Sequence, residues 1–156
     1  MNHKLWSLGV ASVLLMAGCL TDTSLFEPDI ETTTFAPSLG VDLTLSTRMS
    51  SGLWIRDIRV GTGPLVAEGQ LLQVRFTGWI PDGTKFDETT IGGPAFAFTL
   101  GAGQVIRGWD QGVAGMRIGG LRQLIIPPSL AFGSNTVGLI PPNSIVVFNI
   151  DLVSAQ

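Results

Sequence analysis

Residues 105–116, VIRGWDQGVAGM, constrain the fold of this chain more than any other part of its sequence. Four large apolar residues in this segment are spaced three or four positions apart, as on one face of an α-helix. They are Ile106, Trp109, Val113 and Met116. The glycine-rich sequence at residues 115–120 prevents the helix from continuing far. The segment therefore predicts one short helix whose tryptophan faces inward.

Five other segments predict β-strands. In residues 72–77, for example, the apolar residues Leu72, Val74 and Phe76 alternate with polar ones, as in a half-buried strand. The other four segments are residues 53–60, 96–100, 121–126 and 145–153. Sequences rich in glycine and proline follow the first two of the five strands and predict turns there. The segments by themselves predict a small antiparallel sheet with one helix.

The N-terminal residues have the pattern of a secretory signal peptide. A short polar and basic start at residues 2–4 precedes an apolar run at residues 5–16, which is too short to span a bilayer comfortably. Residues 16–19, Met-Ala-Gly-Cys, then resemble a bacterial lipobox. We therefore predict a lipoprotein signal peptide at residues 1–18 and lipidation of Cys19 after cleavage. The alternative is an uncleaved anchor helix that contains a buried free cysteine.

Residues 19–50 are rich in threonine and serine and have no sustained apolar period. This composition predicts a flexible tether that begins at the lipidated cysteine, followed by a globular domain at residues 51–156. Leu20 stands where many lipoproteins of the inner membrane have an aspartate. We therefore expect a lipid-anchored protein of the bacterial cell envelope, at the outer rather than the inner membrane and facing the periplasm.

The residue inventory excludes several kinds of chemistry. The only histidine is His3 and the only cysteine is Cys19, so the predicted mature chain has no histidine and no free thiol. Ser-His or cysteine nucleophiles, zinc sites of histidine and cysteine, and disulfides within the domain are excluded. We predict no metal site and no cofactor. The net charge of -3 and the scattered arginines also argue against nucleic-acid binding.

Four separated motifs give the chain a resemblance to a known family. They are KFD at residues 85–87, VIRGWDQGVAGM at 105–116, AFG at 131–133 and LIPP at 139–142. In this order they resemble the FKBP-type peptidyl-prolyl isomerases, the macrolide-binding immunophilins, over about residues 52–156. The resemblance implies an α+β fold in which an antiparallel sheet of five or six strands wraps around one short helix. It also implies peptidyl-prolyl cis-trans isomerase activity.

Such an activity suits a mature chain that has no histidine and no free thiol. Rotation about an X-Pro bond needs neither proton transfer with the substrate nor a covalent step. Its barrier of roughly 18–20 kcal/mol comes from amide resonance, which keeps the bond planar and places negative charge on oxygen. A dry aromatic pocket disfavours this charge-separated planar form relative to the twisted form. The apparatus required is therefore a pocket with aromatic and aliphatic walls.

The resemblance assigns the pocket residue by residue. Trp109 would be the floor under the proline ring, the Ile106 N–H would hold a ligand carbonyl, and Asp87 would be the carboxylate at the edge. The implied catalytic set is Phe86, Asp87, Ile106, Trp109 and Phe148. The implied substrate-binding set is Phe76, Phe96, Val105, Phe132, Leu139 and Ile140. Ordinary core packing is the alternative for each aromatic residue, above all for Phe96 and Phe148, and an Asx turn or loop cap is the alternative for Asp87.

The chain departs from the family pattern at the pocket. The family commonly has tyrosine at the positions of Phe76 and Phe132, and this chain contains no tyrosine. A family arginine that often pairs with the pocket carboxylate falls near Gly92 or Gly93. Asp87 and the substrate therefore lose hydrogen-bond partners. We expect modest activity and only weak binding of tacrolimus or rapamycin.

The resulting hypothesis is a lipid-tethered prolyl isomerase that assists the folding of envelope or secreted proteins. Uncatalysed X-Pro isomerisation takes tens of seconds and can limit the rate of folding. The expected partners are proline-containing polypeptide clients and the membrane, and we expect a monomer. The alternative is a non-catalytic, chaperone-like module that binds proline-containing segments in the same groove. The missing tyrosine hydroxyls favour that alternative.

Overall fold

The structure is a computed structural model that describes residues 27–156, so the predicted signal peptide and Cys19 lie outside the described residues. It contains seven strands and one α-helix. These are β1 (Thr47–Arg48), β2 (Trp54–Arg59), β3 (Leu71–Trp79), β4 (Lys85–Glu88), β5 (Phe96–Thr99), α1 (Arg107–Val113), β6 (Leu121–Ile126) and β7 (Val146–Ala155). Single 3-10 turns lie at Pro37–Leu39, Leu43–Leu45 and Pro128–Leu130. No helix within residues 27–156 has the length and apolar character to cross a membrane.

All strands belong to one antiparallel sheet in the order β1-β2-β6-β7-β3-β4, with β5 also paired to β3. The α+β class, the single helix and the five predicted strands are confirmed. The sheet has seven strands rather than five or six. The two additional strands, β1 and β4, contain only two and four residues and have no alternating burial, so periodicity could not reveal them.

The helix α1 lies directly on strand β6 because it approaches the strand through two glycines. A Cβ atom added at Gly108 would lie 2.4 Å from Ile126 Cγ2, and one added at Gly112 would lie 2.6 Å from Leu124 Cδ2. Both distances are too short for a side chain. The prediction that the tryptophan faces inward is confirmed, since Trp109 is only 4% exposed.

We call the side of the sheet that faces α1 the inner face, and the opposite side the outer face. Side chains alternate between the two faces along each strand, so Leu124 lies in the inner core and Ile125 in the outer cluster. The inner core contains most of the buried apolar residues of the chain. The outer cluster is smaller and consists of Ile30, Leu39, Ile125, Ile145 and Val147, with Phe35, Trp54 and Trp79 among the partly buried residues around it.

Residues 30–45, which we call the strap, lie across the outer face. Ile30 and Leu39 are 4% and 6% exposed. Gln123 Nε2 on β6 donates to the Leu39 carbonyl at 2.9 Å, and Arg56 Nη1 donates to the Gly40 carbonyl at 3.1 Å. This differs from the prediction of a flexible tether over residues 19–50, because the described part of that range packs onto the sheet. The strap folds through turns and short 3-10 segments, so its apolar residues have no helical or strand period.

Candidate functional site

A groove of about 440 Å³ opens on the inner face of the sheet, beside α1. Its lining is largely aromatic, with aliphatic residues from the segment that leads into the helix. The lining residues are Phe76, Phe86, Asp87, Phe96, Gln104, Val105, Ile106, Trp109, Phe132 and Phe148. Residues far apart in the sequence meet here because β3, β4, β5, β7 and α1 each contribute to the lining.

Trp109 lies at the centre of the aromatic lining. Its ring centroid is 5.0 Å from that of Phe76, 5.2 Å from that of Phe148 and 6.0 Å from that of Phe96, and all three pairs are edge-to-face. Edge-to-face contacts place the positive edge of one ring against the negative face of another. The buried Trp109 Nε1 has no hydrogen-bond partner within residues 27–156. Apolar and aromatic contacts, with no hydrogen bond from the indole, therefore hold the tryptophan.

A glycine on β3 allows two of the phenylalanines to meet. A Cβ atom at Gly78 would lie 2.6 Å from Phe148 Cε1 and 2.8 Å from Phe86 Cζ. With no side chain in that space, the rings of Phe86 and Phe148 come together edge-to-face with centroids 5.4 Å apart. Gly78 is also the β3 residue that pairs with Asp87 on β4. The same glycine thus makes room for the Phe86 and Phe148 rings and pairs with the residue that carries the groove carboxylate.

Among the described residues, Asp87 is the only charged one in the lining of the groove, and it is exposed. Its Oδ1 accepts a hydrogen bond from the N–H of Glu88 at 2.8 Å. Within residues 27–156, no lysine or arginine forms an ion pair with it. The position near Gly93, where the family often has an arginine, therefore gives the carboxylate no support. Arg75 Nη2 donates to the Gly93 carbonyl at 3.1 Å, and this bond stabilises the loop between β4 and β5. The Asp87 carboxylate remains accessible from the groove.

The segment before α1 is held by the helix itself. The carboxylate of Asp110, in the first turn of α1, accepts hydrogen bonds from the N–H groups of Gly101 at 2.9 Å and Gly103 at 3.1 Å. These bonds fold residues 101–103 back onto the helix. Val105 and Ile106 consequently lie at the edge of the groove, and no hydrogen bond within the described residues has the Ile106 N–H as its donor.

Nine of the eleven predicted pocket residues line the groove, and two do not. Leu139 is 63% exposed, whereas Ile140 is 2% exposed and belongs to the inner core. Reciprocal backbone hydrogen bonds between Val137 and Ile140 close a tight turn that separates these neighbours. The sequence did not decide whether Phe96 and Phe148 belong to the pocket wall or to the core. Both line the groove, and Phe148 is buried in the core as well.

Sequence reasoning missed one lining residue, Gln104. Its Oε1 accepts a hydrogen bond from the Thr99 N–H at 2.8 Å, which joins the end of β5 to the segment before α1. The only available signal was its position next to Val105, because a lone glutamine has no pattern of its own. Among residues 27–156, no three histidine, cysteine, aspartate or glutamate side chains lie together as a possible metal site.

Comparison with known proteins finds a matching family model and several similar chains. A family model described as "FKBP-type peptidyl-prolyl cis-trans isomerase" matches residues 63–153. The "FK506-binding protein" of Neisseria meningitidis serogroup B is 41% identical over 103 residues, which are 65% of this chain and 94% of that protein. The "FK506-binding protein 4" of Mycosarcoma maydis is 45% identical over 111 residues, which are 71% of this chain. The chain spans only 29% of the length of that relative.

Two crystal structures have the same fold. The structure of AtFKBP13 matches 71% of this chain and 98% of its own, with a TM-score of 0.67 and 36% sequence identity. The structure of FkpA from Escherichia coli matches 72% of this chain and 52% of its own, with a TM-score of 0.65 and 33% identity. The part of this chain that the family model matches contains all ten residues that line the groove and all of α1.

Proposed function

The chain belongs to the family of FKBP-type peptidyl-prolyl cis-trans isomerases, and we propose on this premise that it accelerates rotation about X-Pro bonds in polypeptides. The observation that carries the proposal is the groove with Trp109 at its floor and the exposed carboxylate of Asp87 in its lining. A concave, mostly apolar site with a few polar groups is the usual form of a binding site for a small ligand or a short segment.

The groove acts on the resonance of the prolyl amide. When the proline ring lies against Trp109, the surrounding rings exclude water from the bond. The planar form, with its partial negative charge on oxygen, is then stabilised less than in water, and the barrier of roughly 18–20 kcal/mol falls. Each reduction of ~1.4 kcal/mol gives a tenfold higher rate. No proton leaves the substrate and no covalent bond forms.

Two polar groups orient the substrate in this proposal. The Ile106 N–H, which donates no hydrogen bond to the described residues, binds a carbonyl of the client. The Asp87 carboxylate lies next to the rotating amide and interacts with it as it twists. Because positions 76 and 132 are phenylalanine, no neighbouring tyrosine hydroxyl forms a hydrogen bond with the carboxylate or the bound carbonyl. Exclusion of water by the aromatic rings therefore provides most of the rate acceleration. Binding of macrolides such as tacrolimus is correspondingly weak.

The activity can be tested with the full chain on a Xaa-Pro peptide, by following cis-to-trans conversion. We expect the parent to accelerate the conversion, Trp109→Leu to lower kcat/KM by at least about tenfold, and Asp87→Val to lower it less. Trp54→Leu and Asp151→Val are matched controls, because both residues lie on the outer face, away from the groove. The controls should retain the activity of the parent.

The non-catalytic module remains the competing function, and one observation favours it. Within residues 27–156, the Asp87 carboxylate accepts a hydrogen bond only from the neighbouring Glu88 N–H, so its orientation is weakly fixed. Proline peptides that bind the groove without any acceleration of their isomerisation would contradict the enzyme and support the module. Acceleration that survives both Trp109→Leu and Asp87→Val would place the activity outside this groove.

The cellular setting is a second part of the proposal. We propose a monomeric lipoprotein of the bacterial envelope, attached through Cys19 to the outer membrane, whose clients are envelope or secreted proteins. The lipobox-like sequence at residues 16–19 supports it. Expression in a bacterium with an alkyne fatty acid should label the parent, and Cys19→Ala should abolish the label. A labelled Cys19→Ala variant, or an unlabelled parent, would contradict lipidation at this residue.

A further inference from the structure

Arg122 on β6 is the only buried charged residue within residues 27–156, with 7% of its surface exposed. It lies on the inner side of the sheet, beneath the C-terminal end of α1. In the register of β2 and β6 it pairs directly with Asp57. A buried guanidinium is costly unless it is paired and its N–H groups have acceptors. The contacts that satisfy Arg122 join the sheet to the helix.

The guanidinium binds the end of the helix. Arg122 Nη1 donates to the Gly112 carbonyl at 2.8 Å and to the Ala114 carbonyl at 3.2 Å. Carbonyl groups at the C-terminal end of a helix lack partners within the helix and carry the negative end of its dipole. The last turn of α1 contains no basic residue of its own. The sheet therefore supplies the cation that the helix end lacks.

Asp57 fixes the direction of that guanidinium. Arg122 Nε donates to Asp57 Oδ1 at 2.7 Å, and Arg122 Nη2 donates to Asp57 Oδ2 at 2.9 Å. This bidentate pair determines the plane of the guanidinium and leaves Nη1 directed at α1. Asp57, Arg122 and the two helix carbonyls thus form one connected unit between β2, β6 and α1.

We propose that Arg122 is a positioning residue for the groove, acting through α1 on Trp109. The helix touches β6 through Gly108 and Gly112, which set its distance from the sheet but offer no side chains that interdigitate with the strand. The indole Nε1 has no hydrogen-bond partner within residues 27–156, so no polar contact of the described residues fixes the Trp109 side chain. The aromatic contacts hold the indole against its neighbouring rings, and the attachment at the helix end fixes the position of α1, and with it the groove floor, along β6.

This inference rests on the proposed isomerase activity for its kinetic test, but its structural test is independent of activity. The full chain is labelled with 5-fluorotryptophan, and its fluorine NMR spectrum is compared between the parent and Arg122→Met. The resonance of Trp109 should shift, while those of Trp54 and Trp79 should not, because both lie on the outer face. The value of kcat/KM on a Xaa-Pro peptide should fall roughly tenfold, since small displacements of binding groups have large effects on rate.

Arg59→Met is the matched control. Arg59 also forms an ion pair across the sheet, with Asp151 at 3.0 Å, but it makes no hydrogen bond to α1. This variant should leave the Trp109 resonance and kcat/KM close to those of the parent. Equal effects of the two substitutions would overturn the inference, because loss of any ion pair in the sheet would then suffice.

Each other outcome is also decisive. An unchanged Trp109 resonance in Arg122→Met, or shifts of the Trp54 and Trp79 resonances equal to that of Trp109, would overturn the positioning role. If the parent itself is inactive, the proposed function fails, whereas the fluorine spectrum still decides the role of Arg122. If Arg122→Met does not fold, Arg122→Lys takes its place. Lysine keeps the charge but cannot bind Asp57 in a fork and reach both carbonyls, so a Lys variant with the resonance and rate of the parent would overturn the inference.

Discussion

The two faces of the sheet are both covered, but by different means. On the inner face, a helix with a regular apolar spacing and alternating strand residues enclose a core that leaves an aromatic groove open. On the outer face, the strap closes a smaller apolar cluster with turns, short 3-10 segments and hydrogen bonds from Gln123 and Arg56. On the inner face, the edge-to-face rings stand at angles to one another and leave space for a ligand. On the outer face, the strap buries the residues of the outer cluster.

The strongest test of this comparison uses adjacent residues of β6. Leu124 faces the inner core and Ile125 the outer cluster, and both are fully buried. Each substitution to alanine should lower the free energy of unfolding by about 2–5 kcal/mol, because each leaves a cavity. Urea denaturation measures both values. A loss below about 0.5 kcal/mol for Ile125→Ala would mean that the strap does not cover the outer face in solution.

A smaller effect is expected within the strap itself. Leu39→Ala should lower the free energy of unfolding by about 2 kcal/mol, while the proposed isomerase activity, measured at a temperature where the protein is folded, should be unchanged. Leu45→Ala is the matched control, because Leu45 is exposed and should contribute little. Loss of activity in folded Leu39→Ala would show that the two faces are coupled, which the separation of their clusters does not predict.

A third test adds a tyrosine hydroxyl to the lining of the groove. Phe132→Tyr should add a donor at the groove lining and strengthen tacrolimus binding by about 1 kcal/mol, or roughly fivefold, as for a single neutral hydrogen bond. Phe35→Tyr, in the strap, is the control and should leave the affinity unchanged. Isothermal titration calorimetry measures both. An unchanged affinity for Phe132→Tyr would show that the missing hydroxyl does not explain the weak binding that we propose.

The smallest effect concerns Asp42, which caps the 3-10 turn of the strap at Leu43–Leu45. The hydrogen bond from the Thr44 hydroxyl, with those from backbone N–H groups, holds the pKa of Asp42 below its usual value of 3.8. Because the folded pKa is the lower one, this stabilisation is present above 3.8 and is lost as the pH falls through the folded pKa. The difference in urea midpoint between the parent and Asp42→Ala should therefore narrow on acidification. A difference in urea midpoint that grows at acidic pH would contradict a stabilising role of the Asp42 cap.

The sequence predicted the inner face far better than the outer face. The spacing of Trp109 and Val113 and the strand alternation of Leu72 and Val74 repeat over several residues, so they identify the buried face without knowledge of the fold. The strap has no such period, and its threonine and serine content resembled that of a tether. Leu139 does not line the groove for a related reason, because a tight turn rather than a periodic element determines which way each residue of its loop points.

By itself, the sequence determined most of the elements and the residue inventory of this protein: one short helix with an inward tryptophan, five of the seven strands, and a domain without histidine or thiol. Only the tertiary structure decided that the strap covers the outer face, that Gln104 joins the groove, and that Arg122 binds the end of α1. Periodicity and residue inventory are local properties that can be read along the chain. Contacts between residues that are far apart in sequence depend on strand register and on the distance between helix and sheet, which no local pattern specifies.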